Sequence, residues 1–258
     1  LTWIKEARGS IRQQAGKAPQ ESWAAQGGHC GAGIKTMTTR FAAALVGLAC
    51  LSMPSVAAAE EGKVQVKLLG TAVLPDGKIT AINTDIVGLP STLQTKANDN
   101  VVPTVAIEYF LSDNFSIETI CCVTQHDVDA TTGLPGAELV SNAQVIPATF
   151  TAKYHLPLDG AKPYVGAGLT YFLWIKDKPG AATIPLGVTD TRLSDELGFV
   201  LQTGLDIPVG DKGFGVSFDA KRYFVDTTAR WYVGDTLAIE TRHRLDPWVL
   251  SAGVSYRF

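Results

Sequence analysis

Four cysteines and four histidines are the side chains of this 258-residue chain best suited to metal or nucleophilic chemistry, and their spacing supports neither. Cys30, Cys50, Cys121 and Cys122 form no C-x-x-C pair and no Cys/His ligand pattern, which argues against a zinc site. Cys121 and Cys122 are neighbours. On a strand they point to opposite faces, where a disulfide between them is strained, so they read as small apolar fillers. His126, His155 and His243 are scattered and expected as ordinary surface residues. A lipid-processing enzyme would need a serine beside a histidine. His126 and Ser141 could be posed, but no nucleophile motif surrounds them. The expectation is a protein that is not an enzyme, with no metal and no cofactor.

Charge is the more informative chemistry. With 22 Lys/Arg against 25 Asp/Glu the net charge is -3, so no electrostatic nucleic-acid binder is expected. With 46% hydrophobic and 18% charged residues the chain is too apolar to be disordered. Seven charges stand at isolated positions among small and apolar residues: Lys67, Glu108, Glu118, Lys153, Asp206, Asp219 and Lys221. What they can do depends on the elements that carry them.

Three segments divide the chain. Residues 37–59 read as a secretory signal peptide: Arg40 gives the positive start, Phe41 to Met53 the apolar run, and Ala57-Ala58-Ala59 the cleavage site. The run is shorter than the roughly 20 residues of a membrane-spanning helix. Residues 1–36 lack an initiating Met and are expected to be upstream, non-native sequence. The exported part, 60–258, holds 16 basic and 23 acidic residues and is acidic.

Within 60–258 the hydrophobic period is two. Leu250, Ala252, Val254, Tyr256 and Phe258 share one face, opposite Val249, Ser251, Gly253, Ser255 and Arg257. The same alternation predicts strands at 63–74, 101–111, 114–124, 144–156, 162–175, 196–208, 213–225 and 247–258, each about the length that crosses a bilayer at a tilt. Connectors alternate between short turns and long loops at about 75–100, 125–143, 176–195 and 226–246. A soluble sandwich has no reason to keep that alternation; an outer-membrane barrel has. Its charged face is the inner one, and its closure leaves no unpaired backbone in lipid. The expected fold is all-β, an eight-stranded antiparallel transmembrane β-barrel with both termini on the periplasmic side.

Four stretches then carry a family resemblance. They are Asn98-Asp99-Asn100 leading to Ile107-Glu108-Tyr109-Phe110 and Ile117-Glu118; Lys162-Pro163-Tyr164-Val165-Gly166-Ala167-Gly168; Asp226-Thr227-Thr228-Ala229; and Arg244-Leu245-Asp246-Pro247-Trp248 running to Tyr256-Arg257-Phe258. In this order they resemble the OmpW family of outer-membrane barrels over almost all of 60–258. The resemblance implies the outer membrane of a Gram-negative bacterium and a narrow, largely hydrophobic channel for small apolar molecules. It also implies that the C-terminal residues Val254, Tyr256 and Phe258 are an assembly signal read by the barrel-insertion machinery. The loops 75–100 and 177–195 depart from the family, and loops carry selectivity.

The seven charges are expected to form an ionic plug in the periplasmic half of the lumen, because opposite signs buried at one depth should pair. Above it, Phe172 and Trp174 are expected to line an apolar channel. Loop residues such as Ile79, Ile82, Val87, Leu93, Ile184 and Leu186 either widen it into a funnel or pack on one another. A solute blocked below would leave sideways through the wall. The expected partners are outer-membrane lipids, the barrel-assembly machinery and a small hydrophobic solute. The competing reading is a structural or adhesive barrel with a closed lumen and partner-binding loops.

Overall fold

The computed structural model describes residues 62–258 except 157 and 159, and the expectations for 1–36 and for the signal peptide fall outside them. In chain order the strands are β1 (Val64–Leu74), β2 (Lys78–Asp85), β3 (Gln94–Ala97), β4 (Asn100–Phe110), β5 (Phe115–Cys121), β6 (Thr124–Thr132), β7 (Glu138–His155), β8 (Lys162–Pro179), β9 (Asp190–Leu193), β10 (Glu196–Pro208), β11 (Phe214–Phe224), β12 (Asp226–Val233), β13 (Thr236–Arg244) and β14 (Trp248–Arg257). Eight of them close a barrel in the circuit β1–β4–β5–β7–β8–β10–β11–β14 and back to β1, antiparallel throughout. These are the eight strands that the two-residue alternation marks, within a few residues at most ends and with β7 and β8 running further outward.

Burial is inverted relative to a soluble protein. Leu68, Leu169, Leu197 and Val254 on the outer rows are 58%, 60%, 67% and 58% exposed, while Lys67, Glu108 and Lys153 inside are 1%, 0% and 1% exposed. Outward side chains meet acyl tails and inward ones meet each other. The turn from β10 to β11 is tight: the Val209 N–H donates to the Phe214 carbonyl at 2.7 Å. Gly210 and Gly213 hold φ of 65° and 76° there, a region that side chains disfavour. Cys121 faces outward and Cys122 is buried, on opposite faces as neighbours on a strand must be.

The long connectors differ from the loops expected of them. They contain six further strands. β2, β13, β12 and β9 form a separate four-stranded sheet, and β3 and β6 extend the barrel sheet alongside β7. Their apolar residues build their own core around Val87, Leu93, Leu139, Leu186, Val188 and Trp231. The Trp231 indole N–H donates to the Leu139 carbonyl at 3.0 Å, fixing this core to the outer end of β7. Hence Val87, Leu93 and Leu186 pack on one another, Ile79 packs against them, and Ile82 and Ile184 stay exposed. Of the two expectations for the loop residues, packing on one another is the one the structure shows, as a folded extension of the barrel.

Candidate functional site

The inner rows of the barrel strands bring all seven predicted charges together. Lys67 on β1 lies 3.0 Å from Glu108 of β4, 3.6 Å from Glu118 of β5 and 3.0 Å from Asp206 of β10. Lys153 on β7 contacts Glu108 at 2.8 Å and Glu118 at 3.0 Å. Lys221 on β11 contacts Glu118 at 3.1 Å and Asp219 at 2.7 Å. Glu118 therefore touches all three ammonium groups. Each charge alone would cost several kcal/mol in this dry interior, so the pairing is what makes the cluster tolerable.

Uncharged groups complete the network, and sequence reasoning had not assigned them to it. Gln202 donates to Glu118 at 2.9 Å and to Asp219 at 2.6 Å. The Tyr164 hydroxyl donates to Asp219 at 2.7 Å, and the Lys153 ammonium sits 3.7 Å from its ring centroid. Gly204 stands directly across from Tyr164 in the β8–β10 register, and a Cβ there would collide with the phenol. Expectations for the histidines need correction. His155 is 2% exposed and lies 2.8 Å from Glu108 and 3.0 Å from Ser116. His126 and His243 are buried in the outer half, where a threonine of the same strand (Thr124, Thr241) meets Nε2 and groups of other segments (Asn98; Thr95 and Gly77) meet Nδ1. Burial pushes His126 below its ordinary pKa and His243 down to about 4. Both are neutral near pH 7.

Above the cluster lies an apolar cavity of about 70 Å³. Leu69, Val73, Ile120, Val145, Phe172, Trp174, Tyr223 and Val249 contribute to its wall, and Lys221 reaches its floor. Phe172 and Trp174 both border this cavity. Trp174 also packs against the outer core, joining the two layers.

On one side of this cavity the strand ladder is interrupted, and Asn100 Nδ2 donates to the Gln125 carbonyl at 2.8 Å just beyond the interruption. β4–β5 pairing ends at Val105 opposite Cys121, and β5–β7 pairing ends at Ile120 opposite Thr149. Pairing with β7 resumes only at Thr124 opposite Val145. Pro147 lies in the gap and Pro103 on the adjacent stretch of β4; neither has an N–H to give to a ladder. Thr104, Ile120, Cys122, Thr124 and Pro147 all border both the seam and the cavity.

The sequence from 60 to 258 matches the OmpW family. The chain belongs to the OmpW family. It is 33% identical over 219 residues to the uncharacterised outer-membrane protein y4mB of Sinorhizobium fredii, covering 81% of this chain and 88% of that one. It is 26% identical to outer membrane protein W of Vibrio cholerae, covering 82% and 95% of the two chains. The fold is similar to that of the outer membrane protein OprG from Pseudomonas aeruginosa, with a TM-score of 0.68, 19% identity and coverage of 77% and 97%. It is also similar to that of the outer membrane protein AlkL in lipid bilayers, with a TM-score of 0.61, 21% identity and coverage of 80% and 95%.

As an OmpW-family barrel the protein resides in the Gram-negative outer membrane. The ionic cluster lies toward the short-turn end of the barrel, away from the end that carries the second sheet. At that lower end Arg257 donates to the Gly62 carbonyl, and its guanidinium lies 3.8 Å from the Phe110 ring centroid. Val254, Tyr256 and Phe258 lie on the lipid-facing side of the closing strand and its end, each more than a third exposed.

Proposed function

We propose that this OmpW-family barrel takes up small hydrophobic molecules from outside the cell and releases them sideways into the membrane. The observation that carries the reading is the apolar cavity abutting the unpaired seam between β4 and β7. Phe172 and Trp174 form the entry wall. Moving a methylene there from water is worth about 0.8 kcal/mol, whereas moving it on into lipid is nearly level, so no step is steeply uphill. Below, Lys67, Glu108, Glu118, Lys153, Asp206, Asp219 and Lys221 act as a plug that denies an axial route. Val254, Tyr256 and Phe258 serve the separate task of presenting the last strand to the insertion machinery.

Flux of a small apolar compound into liposomes tests the reading. Trp174→Lys puts an ammonium into the entry wall and is expected to reduce flux at least tenfold. Unchanged flux would remove Trp174 from the route. Planar-bilayer recordings are expected to show no steady ionic conductance, whereas a continuous current would point to an axial pore.

A further inference from the structure

The outward rows of the eight barrel strands are apolar or uncharged from the lower aromatic ring of Tyr109, Phe115, Phe214 and Tyr256 to the upper one of Phe199, Phe224 and Trp248, with one exception. The exception is Arg222 of β11, which follows Phe214, Val216, Phe218 and Ala220 on the lipid-facing row. Its guanidinium lies 5.3 Å from the Trp248 ring centroid and 6.0 Å from that of Phe224, and Phe199 stacks on Phe224 at 4.4 Å. Among the described residues no carboxylate pairs with it. Arginines of the outer sheet differ: Arg242 pairs with Asp226 at 2.9 Å and Arg244 reaches Asp246 at 4.0 Å.

Depth gives this cation its meaning. Arg222 stands eight residues above Phe214, roughly 20 Å at about 3.3 Å per residue and a tilt of about 40°. The apolar band of such a barrel is about 25 Å tall. The Cα is therefore just inside the outer edge of the hydrocarbon, and the side chain reaches the headgroups. A lipid-facing arginine adds nothing to burial and costs stability as it sinks. What a planar guanidinium does well at this level is hold a phosphate through paired N–H donors. The aromatic rings beside it partly desolvate it.

We propose that Arg222, framed by Trp248 and Phe224, is a binding site for the phosphate of an outer-leaflet lipid whose acyl chains lie along the β10–β11–β14 face. The occupant is a membrane lipid because the site opens to the acyl region below and to the headgroup layer above. The site lies on the outer surface of the wall and does not depend on transport through the lumen.

The test uses the full folded barrel in maltoside micelles, which carry no phosphate, with native mass spectrometry as readout. Phosphatidic acid is the probe, diacylglycerol of the same chains its uncharged control, and inorganic phosphate the competitor. Arg222→Gln is expected to weaken phosphatidic acid binding about tenfold, the scale of a lost charge-assisted pair, and to leave diacylglycerol adducts unchanged. Arg222→Lys, which keeps the charge without the fork, is expected to fall between. Far-ultraviolet circular dichroism checks that each variant keeps its strand content. Equal phosphatidic acid binding by wild type and Arg222→Gln overturns the proposal. So does full displacement by millimolar inorganic phosphate, which would show a site for a free anion.

Discussion

Glu118 is the residue on which the ionic cluster balances. It contacts Lys67, Lys153 and Lys221 and accepts from Gln202. Replacing it with Ala leaves three buried ammonium groups short of a partner. The expected cost is about 3–5 kcal/mol, read from urea unfolding in micelles. Glu118→Gln keeps the volume and tests whether the charge itself matters; it is expected to lose most of the same amount. His243 makes the second prediction at this scale. Burial holds its folded-state pKa at about 4, below the ordinary 6.5, so it stays neutral while an unfolded His243 takes up a proton. Its contribution to the outer sheet is therefore full above about pH 6.5 and is lost as pH falls toward 4. The loss is on the order of 3 kcal/mol. Hydrogen exchange of β13 amides at pH 7 and pH 4.5, corrected for intrinsic rates, is expected to show the loosening. Equal corrected protection at both pH values would contradict it. The cluster's charges were legible in the sequence because a charge on the inner phase of an alternating strand has nowhere else to go. The bond from Tyr164 to Asp219 was not, since it spans from β8 to β11 and shows only once the strands are in register, and His155 was not, since an imidazole near a turn has the same local pattern as one at the surface.

At the scale of elements, the eight crossing strands could be read because lipid imposes a strict two-residue period on each of them. The six outer strands could not. They are short, pair within a sheet wetted on one side, and bury a small core of their own, so Thr- and Asp-containing stretches such as Thr124–Thr132 and Asp226–Val233 look like loops. The seam was equally hidden, for it is an absence of pairing that shows only once the register is known. It yields a direct prediction. The next residues beyond Val105 and Cys121 are Thr104 and Cys122, which are not laddered to each other and both border the cavity. Thr104→Cys is expected to form a disulfide with Cys122 and fasten β4 to the start of β6. Liposome flux of the apolar probe should fall under oxidising conditions and recover with reductant. Equal flux in both states would place the exit elsewhere.

Over the whole barrel, one rule orders the crossing strands: the outward rows are apolar, and the charged side chains face inward. The rule makes stability depend on the solvent outside the wall, which separates it from any soluble β-fold of the same composition. Phe218 tests it. It sits on the outer row of β11, 49% exposed, and lies opposite Leu205 and Ala252 on the adjacent strands. Four residues above Phe214 is roughly 10 Å, near the middle of a band about 25 Å tall. Phe218→Arg is therefore expected to destabilise the barrel in phospholipid vesicles by about 2–4 kcal/mol. The same cation four residues higher, at Arg222, costs about 0–1 kcal/mol because it reaches the interface. Denaturant unfolding in vesicles gives both numbers when Phe218→Arg and Arg222→Gln are compared with wild type. Were Phe218→Arg as stable as wild type, that face would be meeting water, and neither the plug nor the sideways exit would have a membrane to serve.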